Sequence, residues 1–103
     1  MNRLFAGLLC LTLVALAHGA SAGDPQAGER MARRWCAACH VVAADQTRGS
    51  TVAPPFSAIA AKPGFDESKL ALFLLLPHPR MPDMNMSRDE AANLAAYILS
   101  QKK

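Results

Sequence analysis

The residues of this sequence that are best suited to chemistry are two cysteines and a histidine within one short segment. The order is Cys36-Ala37-Ala38-Cys39-His40, so two thiols stand three positions apart and an imidazole follows the second one directly. Thiols at this spacing can form a disulfide, bind zinc, act as a redox dithiol or add to the two vinyl groups of one porphyrin. Each of these chemistries needs different surroundings, so the rest of the chain decides between them.

Three of the four chemistries fit the surrounding sequence poorly. A structural zinc site normally needs four ligands, and beyond this segment the chain after residue 22 offers only His78 as a further histidine or cysteine. A thioredoxin-like dithiol follows a strand, and no strand pattern precedes Cys36. A disulfide across so short a segment closes a small loop and stabilises little. The segment therefore predicts covalent attachment of one haem through Cys36 and Cys39, with His40 as the proximal iron ligand.

The N-terminal part of the chain has the pattern of a secretory leader. Arg3 precedes the apolar run 4–17, which has the length of a signal-peptide core and is short for a membrane span. Small residues then end at Ala22, so cleavage is expected before Gly23. The sequence therefore predicts a signal peptide at 1–22, a single domain at 23–103 and a periplasmic location. If the leader stayed uncleaved, it would instead hold the protein at the membrane.

The domain that follows the leader is small and nearly neutral. Its 81 residues include ten basic and eight acidic side chains, a formal charge of +2 that two haem propionates would bring close to zero. No clustered basic stripe is present, so the composition argues against a nucleic-acid partner. A core of this size is only marginally stabilising, and a staple or cofactor is expected to supplement it. Loss of the leader also removes Cys10, which leaves Cys36 and Cys39 as the thiols.

The cysteines are predicted to follow a helix. Asp24 can cap its N-terminus, and Pro25 suits the first helical position because its missing N–H is harmless there. The helix is expected to run to about the cysteines. Its apolar positions recur with the spacing of one helix face, formed by Gly28, Met31, Ala32 and Trp35.

Three further helices are expected after the attachment segment. A short one covers Phe56 to Ala61, and the next starts at the N-cap Asp66 and ends before Pro77. The helix that starts at Asp66 is expected to turn Leu70, Phe73 and Leu74 inward, although the apolar run Leu70 to Leu76 also allows a buried strand. The stretches Gln46 to Pro55 and Pro77 to Asn85 are predicted to be loops.

The last helix has the strongest start signal in the chain. Ser87 and Glu90 stand at the two positions of a capping box, directly before a periodic apolar run. That run gives the helix one apolar face, formed by Ala91, Leu94, Ala95 and Ile98 with Tyr97 beside them. The elements together predict an all-α fold.

From Gly23 to Lys103 the chain resembles the class I c-type cytochromes, which are small proteins with a single haem. The order of the features carries the resemblance: the attachment segment follows the first helix, and a Met-Pro loop precedes a final amphipathic helix. The resemblance implies about four short helices wrapped around one covalently bound haem. It also implies that Gly28 meets Tyr97 where the first and last helices cross, and that the carbonyl of Pro54 accepts a hydrogen bond from His40.

The resemblance further implies that Met81, which is followed by proline as in the family's Met-Pro element, is the distal iron ligand. His78, Met84 and Met86 lie in the same loop and remain alternatives. A thioether ligand raises the reduction potential of a haem and suits electron transfer, whereas two histidine ligands would lower the potential.

The function that the resemblance implies is one-electron transfer between a redox protein donor and a redox protein acceptor. The chain is expected to act as a monomeric carrier in an exported electron-transfer chain and not as an enzyme. An alternative is a cytochrome subunit of a membrane or periplasmic oxidoreductase complex. A haem enzyme or gas sensor is the third interpretation, and it requires an open distal site.

Overall fold

The computed structural model describes residues 22–49, 52–77 and 80–103, and all regular secondary structure within them is helical. The predicted all-α fold is therefore confirmed, and the alternative of a strand over Leu70 to Leu76 is wrong. Residues 1–21 of the predicted leader and His78 lie outside the described residues. The elements in chain order are α1 (Pro25–Met31), a π-helical turn (Ala32–Cys36), α2 (Phe56–Ala60), α3 (Glu67–Leu75) and α4 (Arg88–Ser100).

The helices start at the residues that the sequence indicates. The carboxylates of Asp24 and Asp66 accept hydrogen bonds from backbone amides two and three residues later, at 2.9 and 2.8 Å. The hydroxyl of Ser87 accepts from the Glu90 amide at 3.1 Å, and the Glu90 carboxylate accepts from the Ser87 amide at 3.3 Å. Each cap satisfies backbone N–H groups that have no partner inside the helix. The predicted capping box is confirmed.

The first helix differs from the prediction near its end. From Ala32 the chain forms a π-helical turn, in which the amide of Ala37 donates to the carbonyl of Ala32 at 3.1 Å. This wider turn takes one additional residue and so changes which side chains share a face. The buried positions are Gly28, Ala32 and Cys36. Trp35 is predicted to lie on this buried face, but it is 44% exposed.

Helices α1 and α4 cross at very short distance. Gly28 is buried at the crossing, where a Cβ atom would overlap the backbone of Asn93 and lie 2.8 Å from the Cβ of Tyr97. Only a residue without a side chain permits this approach. The contact between Gly28 and Tyr97 that the family resemblance implies is therefore present.

Helix α4 forms the centre of the fold and contacts α1, α2 and α3. Its predicted apolar face is buried, and from α3 it is joined by Leu70 and Leu74. Phe73 is expected to point inward as well, but it is 45% exposed and packs its ring edge-on against Phe65, with centroids 6.3 Å apart. Helix α3 thus buries two of the three apolar side chains that are predicted to point inward. Within the described part of the chain, no helix has the length and apolar character that a membrane span requires.

Candidate haem-binding site

The attachment segment forms a tight turn directly after the π-helical turn. The carbonyl of Cys36 accepts hydrogen bonds from the amides of Cys39 and His40, at 3.1 and 2.9 Å. Cys36 is buried, Cys39 is exposed, and the side chain of His40 is half-buried. The turn therefore keeps both thiols and the imidazole within one compact segment, as attachment to one porphyrin requires.

The state of the two thiols separates haem attachment from the other cysteine chemistries. Both cysteines are free, so the disulfide alternative has no support in the structure. Burial, together with the nearby charge of an ionised Cys39, raises the pKa of the Cys36 thiol to about 11. A lowered thiol pKa is typical of a redox dithiol, and Cys36 does not have one. No group of three or more His, Cys, Asp or Glu side chains that could hold a metal ion occurs in residues 22–49, 52–77 and 80–103.

The ring of His40 is held by one short hydrogen bond. Its Nδ1 lies 2.6 Å from the carbonyl oxygen of Pro54. A carbonyl can only accept, so Nδ1 must carry the hydrogen and Nε2 keeps its lone pair. An imidazole oriented in this way is a typical metal ligand, because the bond at one nitrogen fixes both the tautomer and the direction of the other nitrogen. The structure thus brings together the histidine and the proline that the sequence analysis paired.

The loop that carries Pro54 is anchored by the first residue of α2. The backbone amide of Phe56 donates to the carbonyl of Val41 at 2.9 Å, and the buried ring of Phe56 lies 5.3 Å from that of His40 between centroids. The same ring also meets that of Tyr97, at 6.2 Å between centroids. The histidine is therefore supported by aromatic packing that leads directly into α4.

Tyr97 also fixes the backbone that follows the histidine. Its hydroxyl donates to the carbonyl of Val42 at 2.7 Å, and both residues are buried. Burial is the main cause that raises the pKa of the Tyr97 phenol, and the charge of Glu29 adds to it, while Arg33 acts in the opposite direction. The family resemblance places Tyr97 on the crossing with α1, but the sequence gives no sign of this second contact.

We expect Tyr97→Phe to lower the free energy of unfolding by about 1–2 kcal/mol at neutral pH, because the Val42 carbonyl loses its partner. Since the folded-state pKa of Tyr97 is raised, the unmodified protein has its full stability below about pH 10 and loses part of it above that pH. The phenylalanine variant lacks this loss, so the stability difference should narrow as the pH rises. Urea titrations from pH 7 to 11 measure it, and parallel curves for the two proteins would contradict the prediction.

The segment between α3 and α4 contains three methionines, Met81, Met84 and Met86. All three are half-buried, but they differ in their packing. Met81 and Met86 pack against the buried core, and Met84 is not among the side chains that do so in the described residues. Between them the loop turns at Asn85, which has a positive φ of 51° and donates its amide to the carboxylate of Asp83 at 3.0 Å. The distal-ligand assignment stays a prediction, with Met81 placed on the core and His78 outside the described residues.

Several large apolar side chains of the described residues are exposed, and four of them lie close together in the sequence. Such exposure is typical of a chain that covers an apolar ligand or partner. The set includes four side chains of α3 and its end, and the full list is Trp35, Val52, Leu72, Phe73, Leu75 and Leu76. Together with two free thiols and an oriented imidazole, this apolar surface fits a covalently bound haem.

A helical fold with this cysteine turn and this histidine geometry has the features expected of a small c-type cytochrome. None of the protein-family models that were compared matches the chain, and no solved structure gives a significant match. Among curated proteins, the chain is similar to cytochrome c-552 of Bradyrhizobium diazoefficiens, with 47% identity over 92 residues that cover 87% of this chain and 88% of the relative. The chain therefore belongs to the class I c-type cytochromes, a family that carries covalently bound haem c and transfers electrons.

Proposed function

We propose that the protein is a periplasmic one-electron carrier with a single haem c. Cys36 and Cys39 would form the two thioether bonds, His40 would bind the iron through Nε2, and Met81 would provide the distal sulfur. The observation that carries this proposal is the 2.6 Å hydrogen bond from Nδ1 of His40 to the carbonyl oxygen of Pro54. With the hydrogen on Nδ1, the lone pair of Nε2 remains available to bind the iron. When bound, haem supplies an iron centre that gains and loses one electron.

The residues of the chain prepare the site for this chemistry. Pro54 fixes the imidazole plane and strengthens His40 as a ligand, because the bond at Nδ1 makes the ring a better donor. A thioether from Met81 would fill the distal position, so that small molecules such as oxygen have no open site. The packing of Phe56 between His40 and Tyr97 keeps the proximal side rigid, which limits reorganisation during electron transfer.

The function would need a redox protein donor and a redox protein acceptor, and no nucleic-acid partner. As a carrier the protein would be a monomer, since it must leave one partner to reach the next. The second candidate is a cytochrome subunit of a membrane or periplasmic oxidoreductase complex. Leu72 and Leu75 of α3 are 55% and 36% exposed, and they would favour this candidate where bound haem does not cover them. Size exclusion of a native extract separates the two, since a carrier elutes alone and a subunit elutes with its complex.

Attachment and ligation can be tested together on the protein purified from its exported fraction. We expect the pyridine haemochrome spectrum to show one c-type haem per chain. We also expect the ferrous protein to resist carbon monoxide, because a thioether occupies the distal position. A haem-free product would contradict the proposal, and rapid carbon monoxide binding would favour a haem enzyme or gas sensor instead.

The residue at which the mature domain is predicted to begin is held within the fold. The backbone nitrogen of Gly23 donates to Oε1 of Glu67 at 2.7 Å, and a Cβ at Gly23 would overlap the backbone of Ala92. Gly23 thus lies between α3 and α4 as part of the folded domain. Cleavage after Ala22 would turn its nitrogen into an ammonium group beside a carboxylate, whereas an uncleaved leader would keep the domain tethered to the membrane.

We expect the mature protein to begin at Gly23. Mass spectrometry of the periplasmic fraction measures this, and a chain that keeps Met1 would contradict the cleavage.

In the mature form, Glu67→Gln should lower the free energy of unfolding by about 1 kcal/mol, because the ammonium loses its charged partner. Glu29→Gln, which removes an exposed ion pair of 3.8 Å with Arg33, is the control and should have little effect.

A further inference from the structure

The carboxamide of Gln46 bonds to backbone groups on both sides of the histidine. Its Oε1 accepts from the amide of Val42 at 2.8 Å, and its Nε2 donates to the carbonyl of His40 at 3.0 Å. Nε2 also lies within hydrogen-bonding distance of the carbonyls of Arg48 and Ala37, the latter at 3.3 Å. A carboxamide has two N–H hydrogens, so the three carbonyls share them. One side chain therefore ties together the backbone from residue 37 to residue 48.

The chemistry of this position requires a carboxamide. The amide of Val42 needs an acceptor, and three carbonyls on the opposite side need a donor. If the group were turned over, its oxygen would face three carbonyl oxygens and its NH₂ would face an N–H. The partners thus fix the orientation of the Gln46 side chain, and a carboxylate would fit only the Val42 side.

The backbone that Gln46 holds is one half of the support for the imidazole. The other half is the loop at residues 54–56, and two hydrogen bonds join the halves. Nδ1 of His40 donates to the Pro54 carbonyl at 2.6 Å, and the amide of Phe56 donates to the Val41 carbonyl at 2.9 Å. If the backbone at residues 40–42 moved, the first of these bonds would lengthen. The geometry of His40 therefore depends on Gln46 as well as on Pro54.

We propose that Gln46 is a positioning residue that holds the His40 imidazole in its orientation toward the iron. This inference rests on the proposed role of His40 as the proximal ligand. Without the carboxamide, the bond between His40 and Pro54 weakens and the imidazole becomes a poorer electron donor. A poorer donor stabilises ferric iron less, so the reduction potential rises.

A second contact holds the same loop without touching the histidine, and it provides a matched comparison. The guanidinium of Arg33 bonds Oδ1 of Asp45 at 3.0 Å, one residue before Gln46. This hydrogen bond raises the pKa of Arg33, but the pair is exposed to solvent. Exposed pairs stabilise little. Asp45→Asn therefore removes a charge beside Gln46 at little cost in stability and leaves every bond to His40 in place.

The test uses the holoprotein with Gln46→Met, and with Gln26→Met on the exposed surface of α1 as control. We expect Gln46→Met to shift the haem methyl resonances of the ferric protein, because these shifts report the orientation of the axial imidazole. At a fixed ambient potential, the ratio of oxidised to reduced protein should fall by about threefold, since weaker hydrogen bonding at a ligand lowers its donor strength. Gln26→Met should leave both readouts unchanged, and Asp45→Asn should leave the methyl pattern unchanged.

A purely structural role for Gln46 predicts a different result. In that case Gln46→Met would lower the melting temperature but keep the methyl pattern and the redox ratio, and this outcome would overturn the proposal. If Gln46→Met yields no holoprotein, the methyl pattern of Gln46→Glu decides, because this variant keeps the shape and the acceptor for Val42 and removes the donor to His40, whereas its added charge acts on the potential by itself. The absence of histidine ligation in the unmodified protein would overturn the proposed function as well, whereas unchanged Gln46 variants overturn the positioning role alone.

Discussion

Replacing both Cys36 and Cys39 by alanine is expected to leave a chain without a stable native fold. The reason is the composition of the core. Of the 13 buried apolar residues in the described part of the chain, five are alanines, while six large apolar side chains are exposed. Such a core buries little apolar area, and a domain of this size depends on a cofactor or cross-link to offset its conformational entropy. Covalent haem would supply both.

Circular dichroism during thermal unfolding measures this effect, with the haem content determined on the same samples. The matched control is Ala38→Ser, an exposed position in the same turn that leaves both thiols in place. We expect the control to bind haem and melt cooperatively, and the double variant to be degraded or to lack a cooperative transition. A helical, haem-free double variant that melts cooperatively would show that the protein core is sufficient by itself.

Replacing Met81 by alanine is expected to change the spectrum, the potential and the ligand access of the haem together. If the Met81 sulfur binds the iron, the ferric protein should have the weak far-red charge-transfer band of a sulfur–iron bond, and the variant should lose it. The potential should fall, and the ferrous variant should bind carbon monoxide. Met81 is the candidate because Pro82 follows it as in the family's Met-Pro element, and because it packs against the core, which limits the motion of a weakly binding thioether.

The neighbouring residues provide the controls for this assignment. Met84→Ala and Met86→Ala should both keep the band, and His78→Ala should keep it too. If the Met84 variant lost the band and the Met81 variant kept it, the distal ligand would be Met84 and not Met81. A low potential and a spectrum of two nitrogen ligands in the unmodified protein would favour His78 and rule out a high-potential carrier.

The parts of the fold that the sequence predicts are those that depend on contacts between residues close in the chain. Asp24, Asp66 and Ser87 are recognisable as caps because each bonds a backbone amide within three residues of itself. The buried face of α4 follows from its period for the same reason. The cysteine spacing and the histidine beside it are equally local, so the amino-acid sequence alone is enough to propose residues 36–40 as the haem-attachment segment.

The features that the sequence does not predict depend on contacts between distant segments or on a change of helix type. Nothing in the composition around Trp35 signals a π-helical turn, so the predicted buried face of the first helix extends too far. Phe73 has the spacing of a core residue, but it pairs with Phe65 at the edge of the stripe. Gln46 stands in a polar loop, and its bonds to the backbone at residues 37 to 48 depend on how that loop folds.

The π-helical turn determines how this chain should be aligned with other proteins of its family. A π turn corresponds to one residue inserted into an α-helix, while the residues on either side keep their directions. Gly28 can therefore stay at the crossing with α4, and Cys36 can stay buried, in a chain that is one residue shorter between them. In an alignment with a relative whose first helix is α-helical throughout, the gap belongs among the exposed residues Arg33, Arg34 and Trp35. A gap placed inside residues 36–40 would instead break the spacing of the two cysteines and the histidine, on which the proposed haem contacts depend.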